Sequence, residues 1–345
     1  MSDATMSEFE WPAVLNALIE GADLGQARAR AAMAEVMEGR ASEAQLAAFL
    51  VGLRAKGETV AEMTGLVDAM YDAAVTVDAG DDVIDVVGTG GDGAGTFNIS
   101  TTAALVAAGA GAHVAKHGNR AASSETGSAD LLERLGIRLD LPPTATVEMI
   151  RAIGFGFFFA PAYHPAMRHA GPVRRQLGIR TVFNFLGPLC NPAQTKRAAI
   201  GVSDGAMAEL MAGVLRSRGA EYAFVFHGHG GLDELSTAGM STIHRIRDGE
   251  ITTAQFQPSD FGVAAATVAD IKGGDAAENE RITRSVLAGD VGPPRDVVVV
   301  NAAPAIVVAG LAPGFAEGIA LAEQSIDSGA AAAVLAGAVE FSASA

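Results

Sequence analysis

A chain of 345 residues, 49% hydrophobic and 19% charged, has room for one large core or two domains and is too apolar to stay disordered. Its 24 basic and 40 acidic residues leave a net charge of −16, a field that opposes nonspecific contact with nucleic acid or anionic lipid but leaves small anionic ligands open. A single cysteine, Cys190, a polar and acidic first ten residues and no uncharged apolar run of spanning length predict a soluble cytoplasmic protein, with neither nucleic acid nor membrane as partner.

Residues 11–75 read as helices alone. Trp11, Val14, Leu15, Leu18 and Ile19 recur at helical spacing, and Ser42-Glu-Ala-Gln45 and Thr59-Val-Ala-Glu62 are capping-box patterns ahead of apolar runs. From Val83 the text changes to strand–helix alternation. Strands are predicted at Val83–Val87, 112–115, 155–159, 198–202 and 222–227, with helices near 101–109, 127–135 and 205–218. Residues 164–180 turn helical again, 184–192 is loop text punctuated by Gly and Pro, and the tail from Gly310 is alanine-rich and amphipathic. The pattern predicts an α/β protein: a small all-helical domain from 1–78 with 163–195, and a larger α/β domain, its central sheet mostly parallel, from 79–162 with 196–345.

Three stretches carry candidate chemistry. Five of the eight residues from 88 to 95 are glycine, and the stretch Gly88-Thr-Gly-Gly-Asp-Gly-Ala-Gly-Thr-Phe-Asn-Ile-Ser-Thr101 links a predicted strand to a predicted helix. That order brings bare backbone N–H groups and a helix N-terminus to one point, which attracts phosphate. The other reading of the same text is a flexible turn. It is neither a Walker A loop, for no Gly-Lys-Ser/Thr follows, nor a dinucleotide fingerprint.

Lys116-His-Gly-Asn-Arg-Ala-Ala-Ser-Ser124 follows the second strand and leaves the same sheet edge, where its cations, amide and hydroxyls suit a polyanion bearing a sugar; a solvated basic turn is the plainer alternative. Asp233-Glu234 follows the strand 222–227. On a loop both carboxylates can face one ligand, and Mg²⁺ takes such oxygens together with substrate phosphates, although most such dipeptides are simply solvated. Arg174 offers a forked donor for a carboxylate or is a plain surface arginine. None of the histidines makes a zinc-like spacing with cysteine, and only His117 falls in a candidate site.

Taken together, Gly88-Thr-Gly-Gly-Asp-Gly93, Asn98-Ile-Ser-Thr101, Lys116–Ser124, Gly127-Ser-Ala-Asp130, Val173-Arg-Arg-Gln-Leu-Gly178, Phe183-Asn-Phe-Leu-Gly-Pro-Leu189 and Leu232-Asp-Glu234 resemble the anthranilate phosphoribosyltransferases of tryptophan biosynthesis. The resemblance covers most of the chain. It implies a fold similar to pyrimidine nucleoside phosphorylases, a homodimer formed through the helical domain, Mg²⁺ as cofactor, and a phosphoribosyl group passed from 5-phosphoribosyl 1-pyrophosphate to anthranilate.

Carried over residue by residue, it implies that Gly88, Gly91, Asp92, Thr96, Asn98, Ile99, Ser100, Thr101, Lys116, Asn119, Arg120, Ala121, Ala122, Ser123, Ser124 and Ser128 bind phosphoribosyl pyrophosphate. Gly88, His117, Asn119 and Arg174 would bind anthranilate, and Ser100, Asp233 and Glu234 would hold the metal. No general base is assigned, because an aniline nitrogen is already neutral at pH 7. Cys190 stands where the family often has threonine, outside the contact motifs. A nucleoside phosphorylase of the same fold and a nucleic-acid-binding relative are the alternatives; the carboxylate pair argues against the first and the charge of −16 against the second.

Overall fold

The computed structural model describes residues 9–121 and 125–345. In chain order, helices α1 (Trp11–Ile19), α2 (Gly25–Met37), α3 (Glu43–Lys56) and α4 (Val60–Asp72) come first. Then follow β1 (Val83–Gly88), α5 (Ile99–Gly109), β2 (His113–Gly118), α6 (Ser128–Leu135), α7 (Pro143–Ile153), β3 (Phe155–Phe159) and the short α8 (Ala160–Tyr163), α9 (Gly171–Leu177) and α10 (Phe183–Leu186). After them come β4 (Arg197–Gly201), α11 (Gly205–Ser217), β5 (Tyr222–His227), β6 (Ser241–Arg247), β7 (Glu250–Phe256), α12 (Ala276–Leu287), α13 (Pro293–Val308), α14 (Phe315–Asp327) and α15 (Ala330–Ser344).

Two compact units result. The helical one joins Met1–Val75 to His164–Leu186, and the larger one joins Thr76–Tyr163 to Gly187–Ala345. In the helical unit both predicted capping boxes form: Ser42 Oγ accepts from the Gln45 N–H at 3.2 Å, and Thr59 Oγ1 from that of Glu62 at 3.2 Å. Glu62 is fully buried, yet its carboxylate accepts from Leu24 N (2.9 Å) and Lys56 Nζ (2.9 Å), so its charge is compensated inside the unit. Helices α2 and α4 approach closely at Gly65, where a Cβ would overlap the Gln26 carbonyl oxygen.

The sequence boundary at 195/196 moves to 186/187. Residues 187–195 belong to the larger unit because Asn191 Nδ2 donates to Ala115 O (2.7 Å), Val77 N donates to Pro192 O (3.0 Å), and Ala193 packs with Val83, Ile150 and Phe158. Their Gly and Pro punctuation resembles the helical text before them, which hid the change of partner.

One seven-stranded sheet runs through the larger unit in the order β3-β2-β1-β4-β5-β6-β7. The first five strands are parallel; β6 and β7 add an antiparallel hairpin at one edge. That hairpin is absent from the sequence reading, although its Asp248-Gly249 turn, both residues at positive φ (53° and 79°), is a hairpin signal. The chain steps outward from β1 to β2 and β3, then returns to place β4 on β1's other side. The order thus reverses at β1/β4, where open α/β sheets bind ligands beyond their carboxyl ends.

Helices α5 and α13 are buried along nearly their whole length and pack on each other, with α14 and α15 against α5. Among the described residues no single helix is long and apolar enough to cross a membrane. The apolar pair α14 and α15 is bent by 63°, and Ala322, Ile326, Val334 and Leu335 lie in the main core.

Candidate active site

The glycine loop leaves the carboxyl end of β1. Gly90, Gly91, Gly93 and Gly95 all have φ between 66° and 73°, a region that L side chains rarely adopt, so the repeated glycine has a backbone cause. The loop is tied at both ends. Thr89 N donates to Gly201 O at the end of β4 (3.0 Å), and Ser203 Oγ donates to Gly90 O (3.0 Å). At the far end Gly273 N donates to Gly95 O (2.9 Å) and Thr96 pairs with Lys272. Phe97 then turns into the core, and Asn98 sits at the N-cap position of α5.

Asp233 and Glu234 reach this loop from beyond β5. Asp233 Oδ2 accepts from Gly90 N at 2.6 Å, and Glu234 Oε1 accepts from Ser100 N, in the first turn of α5, at 3.0 Å. The positive helix end favours the Glu234 carboxylate there. Both carboxylates are buried. Burial and the neighbouring Asp92 carboxylate push Asp233 up to about 7; burial and Asp233 push Glu234 well above the usual carboxylate range. Such a pair is short of positive charge.

Three glycines at strand ends make the approach possible. A Cβ at Gly88 would overlap Asp233 Oδ2, one at Gly201 the Asp233 carbonyl oxygen, and one at Gly228 the Glu234 carbonyl oxygen. Only Gly88 stands out from sequence. The signal for the others, a glycine closing a predicted strand, is too common to act on alone.

Lys116 is a cation whose charge acts on these acids. Its side chain is 1% exposed, and Nζ donates to Val86 O (2.5 Å) and to Ser100 Oγ (3.5 Å). Burial lowers its pKa, against the charges of Asp85, Glu234 and Asp233, which raise it. Asp85, which the sequence reading passed over, is also buried on β1; burial pushes its carboxyl up to about 6, and Oδ1 accepts from the His117 N–H at 3.2 Å. The buried His117 places Nδ1 3.2 Å from Gly187 O.

Beyond β2, Asn119 Oδ1 accepts from Arg120 N (2.7 Å), and Asn119 O receives Ser128 Oγ (3.2 Å). Ala121 N donates to Asp130 Oδ2 at 2.9 Å. The Arg120 guanidinium turns to α6: it bonds Glu133 (2.5 and 2.9 Å) and Asp130 (3.0 Å) and lies over the Phe159 ring, with its centre 5.5 Å from the centroid. Ala122, Ser123 and Ser124 lie outside the described residues. Ile99 and Thr101 are buried, so Ile99 can offer a ligand only its main chain. Arg174 belongs to the helical unit, where its guanidinium lies 5.3 Å from the Phe183 ring centroid and burial lowers its pKa.

The donors assembled here are hard oxygens. Among the described residues no three His, Cys, Asp or Glu side chains form a ready-made metal cage. A cation would therefore rest on Asp233, Glu234 and the Ser100 hydroxyl together with oxygens brought by a phosphate ligand, which is the habit of Mg²⁺ and not of zinc. Two buried acids with pKa values raised by burial fit such an ion.

A strand–glycine loop–helix cradle at the switch point of a parallel sheet, faced by a buried acid pair, defines a phosphate-handling enzyme. Residues 80–332 match the model of the glycosyl transferase family α/β domain, and residues 12–74 match its helical bundle domain. The anthranilate phosphoribosyltransferase of Solibacter usitatus is 53% identical over 330 residues, covering 95% of this chain and 97% of that one. Among solved structures, the anthranilate phosphoribosyltransferase of Thermus thermophilus superposes with a TM-score of 0.90 at 42% identity, covering 96% of this chain and 99% of that one. The enzyme of Saccharomyces cerevisiae, in complex with PRPP and Mg, does so at 0.89 and 29%, covering 99% of each. Within the glycosyl transferase family, the chain belongs to the anthranilate phosphoribosyltransferases.

Proposed function

We infer that the protein transfers the phosphoribosyl group of 5-phosphoribosyl 1-pyrophosphate to the amine of anthranilate, giving N-(5-phosphoribosyl)anthranilate and pyrophosphate in tryptophan biosynthesis. The observation that carries this reading is the pair of contacts from Asp233 to Gly90 N and from Glu234 to Ser100 N, which sets two buried acids against a phosphate cradle.

In this reading Gly88, Gly91, Asp92, Thr96, Asn98, Ile99, Ser100, Thr101, Lys116, Asn119, Ala121 and Ser128 form the phosphoribosyl pyrophosphate site. Arg120, tied to Glu133 and Asp130, and Ala122, Ser123 and Ser124 belong to the same proposed phosphoribosyl pyrophosphate site. Loop N–H groups and Lys116 present fixed positive ends to the leaving pyrophosphate, where charge grows as the bond to ribose C1 breaks. Mg²⁺, held by Ser100, Asp233 and Glu234, would neutralise the same pyrophosphate. The neutral arylamine needs no strong base, so positioning decides the rate of attack. Gly88, His117, Asn119 and Arg174 bind anthranilate, Arg174 as the forked partner of its carboxylate.

Anthranilate fluorescence is expected to fall when the protein is mixed with phosphoribosyl pyrophosphate and Mg²⁺; constant fluorescence with folded protein would overturn the reading. In the same assay Arg174→Ala should raise KM for anthranilate at least tenfold and leave KM for phosphoribosyl pyrophosphate nearly unchanged. Equal rises in both would remove Arg174 from its role.

The helical unit is the proposed dimer contact, supported by Ile19 on α1, 81% exposed, and by the exposed Val51 on α3. Light scattering should give twice the chain mass; a monomer at micromolar concentration would exclude it. A cytoplasmic setting fits a lone, buried thiol at Cys190.

A further inference from the structure

Four hydrogen bonds close a ring behind the glycine loop. Asn98 Nδ2 donates to Thr126 O (3.0 Å), Thr126 Oγ1 donates to Gly274 O (3.0 Å), Gly274 N donates to Asn279 Oδ1 (2.8 Å), and Asn279 Nδ2 donates to Asn98 Oδ1 (2.9 Å). Three segments far apart in sequence are thereby joined: the start of α5, the entry to α6 and the first turns of α12. Asn279 and Thr126 are buried at 2% and 5% exposure, so their polar groups depend on the ring for partners.

The ring also fixes which way the Asn98 amide points. An asparagine amide has two N–H groups and two acceptor lone pairs; the ring uses one of each and leaves one of each for a ligand. Gly273, next in chain, holds the end of the glycine loop through Gly95 O, and a Cβ there would lie 2.6 Å from both Phe97 Cα and Asn279 Oδ1. The 273–279 segment thus sets both the end of the glycine loop and the orientation of Asn98, the N-cap residue of the helix that follows.

We propose that Asn279 is a positioning residue for phosphoribosyl pyrophosphate: it acts through Asn98, holding that amide and the glycine loop in the arrangement the diphosphate binds. The proposal rests on the function given above for the same site. Asn279 belongs to none of the motifs that mark the site in the sequence, and its side-chain hydrogen bonds go to Gly274 and Asn98 and not to Asp233, Glu234 or Lys116. Its influence should be confined to the diphosphate side of the reaction and should vanish when Asn98 is gone.

Asn279→Asp is the discriminating variant. The carboxylate still accepts from Gly274 N, so the turn into α12 keeps its bond, but it offers no N–H to Asn98 Oδ1 and sets two acceptors face to face. Calorimetric titration of phosphoribosyl pyrophosphate with Mg²⁺, without anthranilate, should show affinity weakened roughly tenfold. In turnover, KM for phosphoribosyl pyrophosphate should rise by a similar factor while KM for anthranilate at saturating diphosphate stays within twofold.

In the Asn98→Ala background the same substitution should weaken binding less than twofold, since there is no amide left to orient. Thr126→Val, which opens the ring at its opposite corner, should weaken binding in the same direction and keeps the test open if Asn279→Asp fails to fold. Unchanged affinity, equal loss for both substrates, or full additivity with Asn98→Ala would each overturn the proposal. A wild-type protein that binds the diphosphate but leaves anthranilate unconsumed would overturn the function while the ring is still tested by binding.

Discussion

The double variant Asp233→Asn, Glu234→Gln is expected to lose about a thousandfold in kcat/KM for phosphoribosyl pyrophosphate, roughly 4 kcal/mol of transition-state stabilisation. Both substitutions keep volume, and an amide oxygen can still accept from Gly90 N and Ser100 N, the two bonds that tie the acids to the loop. What disappears is negative charge at a site built to gather a cation and a diphosphate. Removing it should not unfold the protein. Burial, and the like charge of the neighbouring acids, oppose ionisation of both carboxylates, so the free enzyme carries a strained pair.

The melting temperature of the double variant, measured without ligand at neutral pH, is therefore expected to equal or exceed that of the wild type while activity collapses. Stability surrendered for function is a common feature of sites that concentrate like charge. Activity within tenfold of wild type would show that the acids do not serve the reaction, and a fall in melting temperature would show that they hold the loop chiefly as structure.

How much of this was legible beforehand follows from how local each cause is. The glycine loop could be read because its requirement is local: the loop takes positive φ at several closely spaced positions, and Gly90, Gly91, Gly93 and Gly95 supply it within six residues. The capping boxes at Ser42 and Thr59 were legible for the same reason. Asn279 was not, because its distant partner Asn98 lies 181 residues away in the chain and only the fold brings the two together. Helix α13 gave no periodic signal because Val297–Val308 is buried on every side, and a helix with no wet face has no period to read. The placement of residues 187–195 in the larger unit is hidden in the sequence because their Gly and Pro residues signal a turn but not the strand that the turn packs on.

Gly201→Ala is expected to abolish activity and to cost about 3 kcal/mol of stability or more, from a single added methyl. Gly201 ends β4 opposite Gly88, in the register that sets β1 and β4 side by side, and its carbonyl receives Thr89 N. The segment carrying Asp233 crosses directly over this strand end, and a Cβ on residue 201 would overlap the Asp233 carbonyl oxygen. That oxygen is main chain, so no rotamer change relieves the clash: either the 232–235 segment lifts or β4 shifts. A lift moves Asp233 off Gly90 and draws Glu234 from the start of α5; a strand shift breaks the central ladder of the sheet. Gly201 has no positive φ, so the cost arises from the crossing and not from backbone strain. Gly314→Ala provides the contrast, because a Cβ at that half-buried helix start meets only the flexible end of Glu317, at 3.5 Å, and should leave both melting temperature and turnover near wild type. Thermal melts and the fluorescence assay on the two variants decide the matter: a Gly201→Ala protein with wild-type stability and turnover would mean that the acid-bearing segment is not held against the ends of β1 and β4, and the site as built here would fall with it.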